Sequence, residues 1–212
     1  MPSIAADKGD DIMRLIGMLD SPYVRRVAIS LKMLGLPFAQ ESVSVFRHFD
    51  HFASINPVVK APTLVTDDGV VLMDSTLILE HIARIAPASL MPADARAHTM
   101  ALRRIGLALA ACEKSVAIVY ERNLRPAEKQ HAPWLDRVGG QLNAAYAMLE
   151  DAADPAWFGG DAILQPEITI AVAWRFTQHV VKDIVAAGDY PRLAALSARA
   201  EKHSAFHETD YD

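Results

Sequence analysis

The pair Ser21–Pro22 stands where a short apolar run ends and a helical pattern begins. A serine before a proline in the first turn of a helix is a good N-cap, because its oxygen can accept a backbone N–H and the proline has none to lose. The same corner could also do chemistry, since the start of a helix carries a partial positive charge and a hydroxyl there can donate a hydrogen bond to an anion. Ser21 is therefore both a candidate cap and the first candidate catalytic residue.

The histidines show a weaker pattern. His48 and His51, and again His203 and His207, are spaced about one helical turn apart. A metal site needs at least a third ligand, and none stands near either pair in the sequence. We therefore expect surface histidines and no metal. The sequence also contains no Gly-x-Ser-x-Gly segment that would order a hydrolase triad.

The single cysteine, Cys112, lies in an apolar helical segment, where a packed small side chain is favoured over a reactive thiol. It cannot form an internal disulfide, which suits a reducing compartment. The polar start of the chain lacks the apolar segment of a secretory signal, and no continuous apolar run approaches the length of a membrane span. We expect a cytoplasmic protein with no membrane partner.

Composition and net charge limit the classes of partner that the chain is expected to bind. The chain has 212 residues, of which 51% are hydrophobic and 22% charged, with a formal net charge of −5. This composition is typical of one or two compact domains. An acidic balance without a basic block argues against nucleic acid as a partner, so small molecules remain.

The N-terminal half predicts strands and helices in the order βαβ followed by ββα. Strands predicted over 14–19 and 37–45 flank a helix that ends at Gly35, and strands joined in this way should be parallel. β-rich runs on both sides of Asp68–Gly69 predict a hairpin with a two-residue turn. A further helix is predicted over 75–86.

The C-terminal half has no strand signal and predicts a helical bundle. Glycine or proline marks most joints between its helices, which are predicted over 92–122, 131–152, 164–187 and 191–204. The fold class is therefore α+β, with an α/β domain over 12–87 and an all-α domain over 93–208.

Four segments at these joints resemble the soluble glutathione S-transferases, in particular serine-type bacterial members. They are SPYVRRVAISLKMLGLPF, INPVVKAPTL, MDSTLILEHIA and ITIAVAWRF, in the order and spacing of that family. The resemblance covers nearly the whole chain from Met13 onward. It implies a thioredoxin-like N-terminal domain that binds glutathione as co-substrate, a helical C-terminal domain, a role in detoxification and a homodimer.

Within this resemblance, Ser21 takes the position of the hydroxyl that stabilises the glutathione thiolate in serine-type members. A thiol with a pKa of about 8.5 is mostly protonated at neutral pH, so stabilising the anion raises the reactive fraction. Tyr23 is the alternative, since some classes of the family use a tyrosine. It falls inside the first helical turn, however, whereas the family's tyrosine belongs at the end of the strand.

The remaining glutathione contacts implied by the resemblance lie in two loops. Pro62 is the expected cis-proline, which would expose the backbone of Ala61 to the cysteinyl backbone of glutathione. Lys60 is expected to contact the glycine carboxylate of glutathione. Ser75 is the expected N-cap of the next helix, whose N–H groups would receive the γ-glutamyl carboxylate. Asp74 stands where most members have glutamate.

The main hypothesis is an enzyme that adds the glutathione thiolate to a small apolar electrophile. Tyr23, Tyr120 and Trp174 are expected to line the electrophile pocket. A thiol transferase or peroxidase of the same fold would need a cysteine in place of Ser21. A non-catalytic protein that keeps the fold and binds glutathione or another protein is a second alternative, which the sequence leaves open.

Overall fold

The computed structural model describes residues 12–153 and 162–211. The chain separates between Ala86 and Pro87 into two compact units. The first unit combines strands and helices, and the described part of the second is helical. The predicted α+β fold class is confirmed.

The first unit has the predicted βαβ–ββα order. Its elements are β1 Met13–Ile16, α1 Pro22–Met33, β2 Phe38–Glu41, α2 Phe49–Ile55, β3 Thr63–Val65, β4 Val71–Met73 and α3 Ser75–Ile85. The strands form one sheet in the order β2-β1-β3-β4. β1 runs parallel to β2 and antiparallel to β3, and β4 is antiparallel to β3. This is the thioredoxin-like arrangement that the resemblance implies.

Both faces of this sheet are covered. Leu15 and Ile16 are consecutive residues of β1, so their side chains point to opposite faces, and both are fully buried. Ile16 belongs to a core cluster with Val43 and with Phe52 of α2. α1 and α3 pack against each other. Apolar residues on both faces of the central strand are the pattern expected when helices cover both sides of a sheet.

The strands are shorter than predicted. The first ends at Ile16, because Gly17 has a φ of +140°, which extended strands do not adopt. The hairpin also differs from the expected two-residue turn: Thr66 N–H donates to Val70 O at 3.0 Å, and Gly69 has a φ of +84°. The turn between β3 and β4 is therefore a wider loop, with glycine at the position that needs a positive φ.

The second unit is a bundle of helices within its described residues. They are α4 Ala95–Leu124, α5 Ala132–Ala152, α6 Gln165–Val180, α7 Pro191–Ala200 and α8 Ser204–His207, with short 3₁₀ turns at Ala127–Lys129 and Ala187–Asp189. α6 is its central helix, in contact with α4 and α7 and buried over most of its length. No helix in the described part of the chain is both long enough and apolar enough to cross a membrane.

Two helical boundaries were predicted wrongly. The helix expected over 164–187 ends at Val180, where Val181 leaves the helical conformation while its side chain stays buried. The helix expected over 191–204 stops at Ala200 and is followed by the separate α8. After α6 the chain keeps apolar residues at helical spacing, namely Val181, Ile184 and Val185, so the sequence pattern runs on past the end of that helix.

Aromatic rings and hydroxyls fill the core of the helical unit. Trp174 packs edge-on against Tyr146 and Tyr190, with ring centroids 5.3 and 5.9 Å apart. The Tyr146 hydroxyl donates to Ala173 O at 3.0 Å, and burial raises the pKa of this tyrosine well above its ordinary value. Cys112 is buried, as expected for a packed small side chain.

Candidate functional site

Three loops of the first unit meet at one end of its sheet. Ile16, the last residue of β1, pairs with Thr63, the first residue of β3, and Thr63 pairs in turn with Met73, the last residue of β4. The segments that follow β1, precede β3 and follow β4 therefore lie side by side. They contain Ser21, the Ala61–Pro62 bond and the Asp74–Ser75 pair, which the sequence places far apart.

Gly17 lets two of these loops approach each other. A Cβ at this position would lie 2.6 Å from Val24 Cγ2 and 3.2 Å from Ala61 Cβ, and the φ of +140° strains any other L residue. The backbone of Gly17 is also held on the other side, because its N–H donates to Glu41 O at 3.0 Å and its carbonyl accepts from Gln40 Nε2 at 2.8 Å. The chain after β1 thus turns between α1 and the loop before β3.

Ser21 occupies the N-cap position of α1, as predicted, with Pro22 as the first helical residue. Its backbone is extended (φ −71°, ψ 123°), and its carbonyl accepts from Arg25 N–H at 2.9 Å. The side chain makes no capping hydrogen bond to the described residues of the first turn. Ser21 is partly exposed at the positive end of the helix, where its hydroxyl is available to donate to an anion.

The predicted cis bond is confirmed: the Ala61–Pro62 peptide is cis. A buried side chain, Asn56, braces the loop that contains it. Asn56 Nδ2 donates to Thr63 Oγ1 at 2.9 Å, and the Thr63 hydroxyl donates to Lys60 O at 2.8 Å. Asn56 is the C-cap residue of α2, and nothing in the sequence pattern distinguishes it from an ordinary helix end.

The N-cap of α3 is Asp74, so the prediction that Ser75 caps this helix is wrong. The Asp74 carboxylate accepts Thr76 N–H at 2.9 Å, and Asp74 has a φ of +71°. Ser75 is the first helical residue and is only 3% exposed. A carboxylate is the better cap here, because it accepts the orphan N–H and also carries negative charge at the positive end of the helix.

Asp74 also contacts Lys60 across the site. The Lys60 ammonium lies 3.3 Å from Asp74 Oδ2. Burial works to raise the pKa of the Asp74 carboxyl, but the hydrogen bonds from Thr76 N–H and Lys60 prevail and hold this pKa below its ordinary value. The two residues that were expected to contact opposite parts of glutathione are therefore neighbours.

A buried arginine, which the sequence patterns did not single out, stands behind the start of α3. Arg26 Nη1 donates to Ser75 Oγ at 3.0 Å and lies 3.3 Å from Thr76 Oγ1. Arg26 is the second arginine in the segment Val24–Val27 of α1, and a charged pair inside an apolar helix was the signal that could have drawn attention to it.

The three residues predicted for the electrophile pocket differ in exposure. Tyr23 is a partly exposed residue of α1, and Tyr120 is a residue of α4 that is 43% exposed. Partial burial raises the pKa of Tyr120. Trp174 is only 5% exposed and forms part of the aromatic core of the second unit, so little of its ring is left to contact a substrate.

One histidine of each pair accepts a hydrogen bond from a backbone N–H. His48 Nδ1 accepts Ser44 N–H at 3.2 Å, and His203 Nδ1 accepts Ala205 N–H at 3.2 Å at the start of α8. In the described residues, no three His, Cys, Asp or Glu side chains are grouped as a metal ion requires.

Comparison with known proteins gives relatives for both units. The family model described as the N-terminal domain of glutathione S-transferase matches residues 15–90. The uncharacterized GST-like protein YibF of Escherichia coli K12 is 30% identical over 164 residues, which are 76% of this chain and 80% of YibF.

Two solved structures share the fold. A glutathione S-transferase from Methylobacterium radiotolerans, in complex with glutathione sulfonate, is 27% identical with a TM-score of 0.86, over 93% of each chain. A glutathione transferase family member from Pseudomonas fluorescens Pf-5, with bound glutathione, is 26% identical with a TM-score of 0.83, over 94% of this chain and 99% of the other. With its thioredoxin-like sheet, its cis-proline loop and these relatives, the chain belongs to the glutathione S-transferase family.

Proposed function

We propose that this protein is a glutathione transferase, which binds glutathione at the end of the sheet and adds its thiolate to a small apolar electrophile. One observation carries the proposal. The pairing of Ile16 with Thr63 and of Thr63 with Met73 puts the start of α1, the cis-proline loop and the start of α3 at one edge. Similar structures that contain glutathione or its sulfonate support the choice of ligand.

Ser21 is the proposed catalytic residue. Its hydroxyl, which caps no backbone group of its own helix, would donate a hydrogen bond to the glutathione sulfur. The start of α1 adds a partial positive charge at the same point. Both effects favour the thiolate over the thiol, and the proton released on ionisation would pass to solvent.

The loops on either side would hold the tripeptide. The backbone N–H and C=O of Ala61, beside the cis bond, would pair with the cysteinyl backbone in the manner of an added strand. Lys60 would meet the glycine carboxylate. The start of α3, with Asp74 as its cap and Ser75 as its first residue, would receive the γ-glutamyl end.

The thiolate would then attack an electrophilic carbon. With an aryl halide, the new C–S bond forms as the halide ion leaves with the bonding electron pair, so no oxidant, reductant or metal is needed. Tyr23, a partly exposed residue of α1, remains a proposed contact of the electrophile. We further expect a homodimer and a cytoplasmic location.

The test uses the full chain. Isothermal calorimetry with glutathione should give one saturable site, and glutathione with a dinitrophenyl halide should give the coloured conjugate faster than the uncatalysed reaction. Binding without any conjugation, across several electrophile classes, would instead favour a non-catalytic glutathione-binding protein. Absence of binding would contradict the proposal as a whole.

A further inference from the structure

The buried contact between Arg26 and Ser75 links α1 to the start of α3. Arg26 is only 2% exposed, and its Nη1 is 3.0 Å from Ser75 Oγ. Arginine is rarely buried to this degree, because removing its charge from water is costly unless it is well hydrogen-bonded. An apolar residue would pack α1 against α3 without that cost, so the arginine calls for an explanation beyond packing.

The hydrogen bond from Arg26 determines whether the Ser75 hydroxyl can donate a hydrogen bond to another group. A hydroxyl has one proton to donate and two lone pairs that accept. Arg26 carries only donors, so Ser75 Oγ is the acceptor in their hydrogen bond. The Ser75 proton must therefore point away from Arg26, and it has no acceptor among the described residues. A buried hydroxyl with an unused proton thus lies at the first position of a helix.

We propose that Arg26 is a positioning residue for the recognition of a carboxylate at the start of α3. By donating to Ser75 Oγ, it holds the hydroxyl with its proton free to donate to the ligand. A hydroxyl that accepts a hydrogen bond from a cation is also polarised and becomes a stronger donor. The carboxylate would be that of the γ-glutamyl residue, so this inference rests on the proposed function.

A purely structural role for Arg26 makes a different prediction. If Arg26 only ties α1 to α3, its loss should lower stability and weaken every ligand of the site alike. If it acts through the Ser75 hydroxyl, its loss should weaken only ligands that present the γ-glutamyl carboxylate. Its effect should also vanish once the Ser75 hydroxyl is removed.

The experiment is a double-mutant cycle on ligand affinity. The variants are Ser75→Ala, Arg26→Met and the double variant, each titrated by calorimetry with two ligands. One ligand is glutathione, and the other is the glutathione analogue whose γ-glutamyl α-carboxylate is an amide. Arg25→Lys is the matched control, since Arg25 is an equally buried arginine of α1 whose side chain leaves the helix about 100° away from that of Arg26.

We expect Ser75→Ala and Arg26→Met each to weaken glutathione binding about tenfold, the size of one hydrogen bond to a charged group. The double variant should be no weaker than Ser75→Ala, and the amide analogue should lose less than about twofold in any variant. Additive losses, or equal losses for both ligands, would overturn the proposal and leave Arg26 a structural residue. A loss of the same size in Arg25→Lys would overturn it as well.

Arg26→Lys is a milder second variant, which keeps the proposal testable if Arg26→Met does not fold. Lysine keeps the charge but loses the planar fork, so it should bind glutathione about threefold more weakly while the amide analogue is unaffected. If the wild-type protein binds no glutathione, the proposed function and this inference both fail. If it binds glutathione but Arg26→Lys and Arg26→Met leave the affinity unchanged, only this inference fails.

Discussion

The ammonium of Lys60 lies 3.3 Å from Asp74 Oδ2 and joins the loop before β3 to the cap of α3. Both side chains are about half exposed, so the ion pair itself adds little to stability. It does hold Lys60 at the edge of the proposed glutathione site, where a ligand carboxylate would compete with Asp74 for the ammonium. The Asp74 carboxylate therefore has two separate roles: it caps α3, and it forms the ion pair with Lys60.

Replacing Asp74 separates these two roles. Asparagine still accepts Thr76 N–H and tolerates the φ of +71°, so Asp74→Asn should change the free energy of unfolding by less than about 1 kcal/mol. Asp74→Ala loses the cap and tolerates this φ poorly, and should cost about 1–2 kcal/mol. Urea denaturation measures both values. Equal costs for the two variants would show that the cap contributes nothing.

Removing the Ser21 hydroxyl should impair chemistry more than binding. We expect Ser21→Ala to lower kcat for a dinitrophenyl halide about 10- to 100-fold, because a hydrogen bond to the thiolate is lost. The pKa of bound glutathione, read from thiolate absorbance against pH, should rise, while the Kd for glutathione changes little.

Two hydroxyl deletions serve as comparisons for Ser21→Ala. Tyr23→Phe tests the alternative donor, and Ser204→Ala removes an exposed serine at the start of α8. Both should keep the thiol pKa near wild type, and Ser204→Ala should also keep kcat. If Tyr23→Phe raises the thiol pKa and Ser21→Ala does not, the tyrosine has the role proposed for the serine.

Adding one methyl group at Gly17 should destabilise the first unit. A Cβ there would lie 2.6 Å from Val24 Cγ2, and the backbone would be strained, so Gly17→Ala should cost at least about 2 kcal/mol. Gly106→Ala is the matched control, because no atom lies within 4 Å of its added Cβ in α4. That change should stabilise the protein by about 0.5–1 kcal/mol. Thermal melts compare the two, and equal shifts would contradict the close approach.

Asp183 should contribute to the acid stability of the second unit. Arg122 of α4 forms a two-pronged ion pair with it, at 2.8 and 3.1 Å, and these hydrogen bonds lower the pKa of the Asp183 carboxyl. A carboxyl with a lower pKa in the folded protein stabilises it fully above the unfolded value of about 3.9. This contribution is lost as the pH falls from there towards the folded pKa.

The measurement is the melting temperature between about pH 6 and pH 2 in low salt. Asp183→Asn should lower it at pH 6 and make no difference at the acid end, and the gap should shrink with added salt because both side chains are exposed. Asp136→Asn, an exposed aspartate of α5, is the control. A gap between Asp183→Asn and wild type that persists at pH 2 would contradict this direction of the pH dependence.

Local sequence patterns were enough to predict much of the fold and part of the site. The order of strands and helices, the parallel pair β1 and β2 and the N-cap position of Ser21 depend on a few neighbouring residues, whereas the cis-proline at Pro62 was expected from the resemblance to the family. Apolar periodicity and a proline in the first helical turn are properties of short segments, so they can be recognised without the rest of the chain.

Other features depend on which segments the fold brings together. The pairing of Thr63 with both Ile16 and Met73 puts Asp74 beside Lys60. The hydrogen bond from Arg26 to Ser75 joins residues 49 positions apart. Sequence periodicity reports on neighbours along the chain, whereas strand register, burial and contacts between distant polar groups arise when separate segments pack against one another.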